Sequence, residues 1–148
     1  MLLSKDGKTL VQGVNGDVVI PNGVTSVGEG AFSGCSNLTS VTIPDSVTDI
    51  QDWVFDRCNL TSLTIPNSVT RIGYGTFSGC NKLTVVDFGN TRTTVPQLGN
   101  ASSFAYMPAD MVICVPDNLY DTWIDATNWS DTSVKPHIVK WSDYDQTT

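Results

Sequence analysis

Ile43-Pro44-Asp45-Ser46-Val47-Thr48-Asp49-Ile50 decides the fold, because the chain says nearly the same thing twice more. Ile20-Pro21-Asn22-Gly23-Val24-Thr25-Ser26-Val27 precedes it, and Ile65-Pro66-Asn67-Ser68-Val69-Thr70-Arg71-Ile72 follows it. The steps run from Ile20 to Ile43, from Ile43 to Ile65 and from Ile65 to Phe88, and the middle one is shorter than the others by a single position. Self-similarity at a fixed period of this size means stacked coils, each too small to close a core alone.

Read by column, the repeat separates into inward and outward positions. Leu38-x-x-Val41-x-Ile43, Leu60-x-x-Leu63-x-Ile65 and Leu83-x-x-Val86-x-Phe88 fit the strand part of a leucine-rich repeat. Period-2 alternation sends Val41 and Ile43 inward and Ser40 and Thr42 outward. The prolines after each strand, Pro21, Pro44 and Pro66, end ladder pairing. Val24, Val47 and Val69, then Val27, Ile50 and Ile72, supply further inward contacts, followed by Phe32, Phe55 and Phe77. The shorter step has a locatable cause. Cys35 and Leu38 are three apart, as are Cys80 and Leu83, whereas Cys58 and Leu60 are two apart. One outer-loop residue is missing, with the strand register expected to continue across it.

The predicted fold is therefore a single leucine-rich-repeat solenoid, α/β but β-rich, with short parallel strands on the concave face. Turns or one short helical turn, Glu29 to Cys35 and its copies, cover the convex face. Residues 1–19 read as an N-terminal cap of hairpins. Asp6-Gly7 and Asn15-Gly16 supply the tight turns, and Asp17 to Ile20 forms the first strand of the ladder. Residues 20–88 hold three repeats of about 22–23 residues, within the range of leucine-rich repeats. Residues 89–148 read as an α+β cap, with Val95, Pro96 and Leu98 as remnants of a distorted fourth coil. The rest of that cap is a strand ending at Pro116, a helix with Asp117 as N-cap and Leu119, Tyr120, Trp123 and Ile124 on one face, and a last strand from His137 to Trp141.

The 148 residues suffice for one domain, and 40% are hydrophobic, enough for a packed core. The net charge is −7, from 8 basic and 15 acidic residues, so no basic patch stands ready for phosphates, which argues against nucleic acid and anionic membrane as partners. No stretch approaches the roughly 20 apolar residues of a membrane span. Met1 to Lys8 has no apolar run of signal-peptide type. The expectation is a chain that has lost a signal, lies within a longer protein, or is assembled without crossing a membrane.

The string I-P-x-x-V-T-x-I-x-x-x-x-F-x-x-C-x-x-L-x-x-V-x resembles the BspA-like, bacterial-surface-antigen class of leucine-rich repeat, over residues 18–88. Val115 to Tyr120 and Thr127 to Ser130 are similar to the segment that often closes such arrays. The resemblance implies a bacterial or protist surface protein, or a protein of a phage of gut bacteria. It implies adhesion to host proteins or other cells, and carries over no binding residue.

The candidate chemistry is sparse. Cys35, Cys58 and Cys80 share one column, and no close C-x-x-C pair suggests a metal, so they read as small buried residues, with Cys114 packed in the cap. Gly28-Glu29-Gly30 with Gly34 superficially suggests a phosphate loop. Its return as Gly73-Tyr74-Gly75 with Gly79 assigns the glycines to a recurring bend. His137 is the only histidine and Glu29 the only glutamate, and no nucleophile elbow appears, so no enzyme, cofactor or metal is expected. Asp117, Asp121, Asp125 and Asp131 lack the spacing of a calcium loop.

The display face remains. Its outward columns are Asp17, Ser40, Ser62, Val85 and Val19, Thr42, Thr64, Asp87. Trp53 stands where the other repeats have Gly30 and Gly75, and projects from the outer turn, either as a contact residue or laid over Tyr74 and the stem of Arg57. The candidate binding surface is therefore Asp17, Ser40, Thr42, Trp53, Ser62, Thr64, Tyr74, Val85 and Asp87. Its expected partner is a protein or glycan on a host or neighbouring cell, or other subunits of a larger assembly. The expected location is extracellular or at the cell surface, within a larger or signal-trimmed protein. The alternatives are a phage tail or capsid-decoration component and an accessory domain of a larger secreted protein.

Overall fold

A computed structural model describes residues 1–144; residues 145–148 of the expected cap lie outside it. Each coil gives one strand to each of two ladders. The chain opens with β1 (Leu2–Leu3) and β2 (Thr9–Gln12), then β3 (Gly16–Val19) and β4 (Ser26–Val27). It continues through β5 (Leu38–Thr42), β6 (Asp49–Ile50), β7 (Ser62–Thr64) and β8 (Arg71–Ile72). The last strands are β9 (Val85–Asp87), β10 (Gln97–Leu98), β11 (Val112–Val115) and β12 (Ile138–Lys140). One ladder runs β2-β4-β6-β8-β10, parallel throughout, with β1 antiparallel on β2. The other carries β3 and β5, then β7, β9, β11 and β12, also parallel.

Local chemistry explains the path. After each of the first three coils' strands, a proline carbonyl accepts the amide three positions on: Val24 to Pro21, Val47 to Pro44 and Val69 to Pro66, at 3.1–3.3 Å. This turn delivers the chain to the second ladder, where Val27, Ile50 and Ile72 stack in register. The third side is a run of turns, the first of the two expected forms, and not a helical turn. Its amides alternate between the next coil, as in Phe32 N to Val54 O and Phe55 N to Thr76 O (both 2.9 Å), and turn bonds three residues back, as in Cys35 N to Phe32 O and Cys58 N to Phe55 O (both 3.1 Å). That inter-coil bonding takes the groups a helix would need for itself.

The N-terminus also differs from expectation. Asp6-Gly7 does turn β1 back on β2, but Asn15-Gly16 closes no hairpin. β2 pairs with β4 and β3 with β5, so Asn15-Gly16 is the corner between the two ladders. Leu10 thereby aligns with Val27 and is fully buried. The fourth coil keeps both ladders rather than fading. Leu98 aligns with Ile72, Phe104 stacks on Phe77 at 5.3 Å, and β11 pairs with β9.

The C-terminal segment ends both ladders. Asn128 Nδ2 donates to the carbonyls of Leu98 (2.7 Å) and Gly99 (3.2 Å), satisfying the edge of β10. Trp129 donates to Pro96 O at 2.8 Å and packs on Phe88, Phe104 and Trp123. A short 3₁₀ turn, Asp117–Leu119, leads into α1 (Tyr120–Ile124). Asp117 is not its cap: the carboxylate instead accepts the Ser142 amide at 3.0 Å, which holds it below its ordinary pKa. Arg92 occupies the column of Val24, Val47 and Val69, only 3% exposed. Its guanidinium donates to Thr94 O and Val69 O and lies over Phe88 and Trp123, so a buried cation is held by carbonyls and aromatic faces.

Candidate functional site

One boundary in the stack departs from the rule. Ile20 N donates to Thr42 O (3.0 Å), Ile65 N to Asp87 O and Phe88 N to Cys114 O (both 2.9 Å). The homologous bond, Ile43 N to Thr64 O, is not made, and among the described residues no strand pairing joins β5 to β7. The expected continuity of register therefore fails at one place. It fails at the short coil, where Cys58-Asn59-Leu60 does with one residue fewer what Cys35 to Leu38 and Cys80 to Leu83 do. Asn59 Nδ2 reaches back to Ser36 O at 2.8 Å across that corner. Beyond it, Ser62, Leu63 and Thr64 pair normally with Val85, Val86 and Asp87.

The split opens a groove of about 520 Å³ between β5 and β7. Ser40, Thr42, Ser62 and Thr64 edge it, Val41, Ile43, Leu63 and Ile65 form its floor, and Asp45 and Asn67 stand at one end. Val41 (9% exposed) and Ile43 (7%) are the most open of the buried apolar residues, whereas Val86 and Phe88, one paired coil further, are fully buried. The opening thus reaches through the strand face towards the core.

The structure divides the predicted surface in two. Asp17, Ser40, Thr42, Ser62, Thr64, Val85 and Asp87 lie on the ladder, with Ser40, Thr42, Ser62 and Thr64 brought together around the groove. Asp17 accepts hydrogen bonds from Thr39 Oγ1 (2.7 Å) and Ser40 Oγ (3.0 Å), which hold its carboxyl below the ordinary value. Asp87 is turned to structure, accepting the Gly89 amide at 2.7 Å.

Trp53, as its column implies, and Tyr74 are on the turn side, outside the groove. Trp53 has φ 59°, in a column where Gly30 and Gly75 have φ 65° and 60°. Its indole lies over Gly75, where a Cβ would stand 2.2 Å from the ring. Trp53, read from the sequence either as a contact residue or as laid over Tyr74 and the stem of Arg57, rests its ring on the bare glycine of the next coil and stays 41% exposed. Tyr74 lines a second cleft with Arg71, Gln97 and Trp129, and Arg71 is neutralised by Asp49 (2.8 Å) and Asp52 (3.6 Å). Asp45 and Asn67 escaped the sequence reading of the site. Their signal was present in the column Asn22, Asp45, Asn67, Asn90, polar in every coil directly after the strand and its terminal residue pair.

The cysteine column is structural. Cys58 donates its thiol hydrogen to Phe32 O (2.8 Å) and Cys80 to Phe55 O (2.7 Å), one coil back in each case. Burial pushes the Cys58, Cys80 and Cys114 thiols up to about 12, while Cys35 is less buried. A thiol held protonated is a poor nucleophile. Iodoacetamide at pH 8 should therefore alkylate Cys35 first in the native protein and all four only after denaturation, read by mass spectrometry. Because the folded state keeps these protons longer than the unfolded chain, stability should be complete below about pH 9 and fall between about pH 9 and pH 12. Elsewhere, His137 has Nδ1 2.7 Å from Met111 O, so a backbone carbonyl orients the ring.

Parallel coils of about 22–23 residues, with a strand, a proline turn and a buried Phe in each, define a leucine-rich-repeat protein. The chain belongs to the BspA type leucine rich repeat family, whose model, described as a region of six copies, matches residues 15–110. A leucine-rich repeat protein from Eubacterium ventriosum is similar at 26% identity and a TM-score of 0.61, over 76% of this chain and 31% of that one. The Treponema pallidum leucine rich repeat protein shares the fold at 23% identity and a TM-score of 0.53, over 77% of this chain and 67% of that one. A leucine rich cell surface protein from Faecalibacterium prausnitzii is 50% identical over 47% of this chain and 18% of its own, with a TM-score of 0.46. The chain thus spans less than a third of the Eubacterium and Faecalibacterium proteins. No curated protein matches it. Among the described residues, no helix is long and apolar enough to cross a membrane.

Proposed function

We propose that this chain is a non-catalytic display module at a cell surface, whose repeat face binds a protein or glycan of a host or neighbouring cell. The observation that carries the reading is the groove between β5 and β7. It sets neutral hydroxyl side chains and an open rung, Ile43 N–H facing Thr64 C=O without a bond between them, on rigid strands, where binding groups lose little entropy on contact. Membership of a surface-repeat family supports it.

The size of the face decides how it works. Eight outward side chains line the four repeat strands, Asp17, Val19, Ser40, Thr42, Ser62, Thr64, Val85 and Asp87. A standard protein interface uses roughly 20–30 residues on each side. One copy therefore binds weakly, and display in many copies multiplies the contact. The test is adhesion of beads carrying many copies of the chain to immobilised host matrix proteins and glycans, compared with the soluble monomer. Retention of beads well above monomer is expected. No retention on any surface contradicts the reading, as would hydrolysis of a ligand that His137→Ala abolishes.

A further inference from the structure

We infer that the groove between β5 and β7 is a site for a neutral oligosaccharide, an inference that rests on the binding-module reading and names its ligand class. The groove, about 520 Å³, falls within the range of roughly 300–1,000 Å³ typical of small-ligand clefts. Its chemistry selects among ligands. Thr42, Ser62 and Thr64 present hydroxyls that both donate and accept, the same dual capacity as every hydroxyl of a sugar, while Ser40, which donates to Asp17, adds an acceptor. The unmade rung adds a fixed donor, Ile43 N–H, and a fixed acceptor, Thr64 C=O, which are not bonded to each other across the gap. Asp45 adds an acceptor at one end, and Asn67 donates its amide to Thr91 Oγ1 at 2.7 Å, which leaves its carbonyl oxygen as a second acceptor. Val41 and Ile43, 9% and 7% exposed, add the small apolar surface that the opening uncovers.

Two other ligand classes fit worse. An anionic glycan or a phosphate needs cations, and the groove is lined by no Lys or Arg and holds one carboxylate, in a chain of net charge −7. An extended peptide added as a strand would need two strand spacings, roughly 9–10 Å, between β5 and β7. Their Cα atoms still approach within 8 Å. The gap is too narrow for a backbone ladder and open enough for hydroxyls to reach the unmade rung from the solvent side.

The test is NMR titration of the isotopically labelled full chain with maltohexaose, cellohexaose, xylohexaose and mannohexaose, with a sulfated heparin hexasaccharide and an extended Thr-Val hexapeptide as competing classes. At least one neutral hexasaccharide should give saturable shifts at the amides of Val41, Ile43, Ser62 and Thr64. The Thr42→Val, Thr64→Val pair keeps shape and β-branching and removes two hydroxyls, so affinity should drop roughly tenfold. Tyr106→Ser, on the turn side and 83% exposed in the native chain, should leave it unchanged. Inserting one serine between Cys58 and Asn59 restores the longer step of the other coils and should close the groove and abolish the shifts. The proposal is overturned by no response to any neutral sugar, by saturable shifts only with the sulfated sugar or the peptide, or by shifts confined to the turn side. A chain that fails here yet retains beads in the adhesion assay loses the sugar and keeps the binding-module reading; failure in both removes both.

Discussion

Phe55→Ala should lower the unfolding free energy by about 3–5 kcal/mol, measured by urea denaturation. Phe55 is fully buried in the middle of an aromatic stack, 5.6 Å from Phe32 and 5.8 Å from Phe77, with both neighbours nearly parallel to it. Truncation removes the ring and leaves a cavity between two coils that cannot collapse, because Phe55 N–H and C=O are tied to Thr76 and to Cys58 and Cys80. In a solenoid each coil touches only its neighbours, so a cavity at the middle interface divides the array. The transition should broaden, with a smaller m-value, as well as shift. A loss under about 1 kcal/mol with an unchanged m-value would show that the Phe column is not the spine of the fold.

Trp129→Ala should cost a similar amount, about 3–5 kcal/mol, but by a different route. Its ring closes the end of the stack, with centroids 5.8 Å from Phe104, 5.7 Å from Phe88 and 5.3 Å from Trp123. The substitution also leaves Pro96 O without its buried donor. The damage falls at one end. Hydrogen exchange should rise across β10, β11 and α1 while β4 and β6 keep most of their protection. Uniform loss of protection along the chain would contradict the view that the segment following Val115 acts as a lid on an otherwise self-supporting array.

The columns that bury apolar side chains were legible, because the chain repeats them: Val27, Ile50, Ile72 and Phe32, Phe55, Phe77 announce themselves by spacing. Phe104 belongs to the same column but was hidden, since the interval from Phe77 to Phe104 is longer than those from Phe32 to Phe55 and from Phe55 to Phe77. Arg92 was hidden by its chemistry. A guanidinium at an inward valine position reads as surface until Phe88 and Trp123 are seen to flank it. Leu10 was hidden by a turn signal. Asn-Gly between two apolar runs favours a hairpin, yet β2 pairs in parallel with β4 and β3 with β5, which continues the two ladders of the array.

The site was half legible. Sequence alternation placed Ser40, Thr42, Ser62 and Thr64 on one face, and it located the missing residue near Cys58. What the omission does could not be read, because strand pairing across a coil boundary depends on where the shortened corner leaves β7 relative to β5. The column shared with Gly30 and Gly75 put Trp53 on the outer turn, and the structure sets Tyr74 there too, in a cleft apart from the groove.

One absent residue at the Cys58 corner leaves one rung of the ladder unmade and so opens the groove. Amide hydrogen exchange at Ile43 tests this most directly, against Ile65 and Phe88, whose amides occupy the same column and are bonded at 2.9 Å. Exchange at Ile43 at least about a hundredfold faster than at the other two is the predicted result. Equal protection at all three would mean that the ladder is continuous and that no groove exists to bind anything.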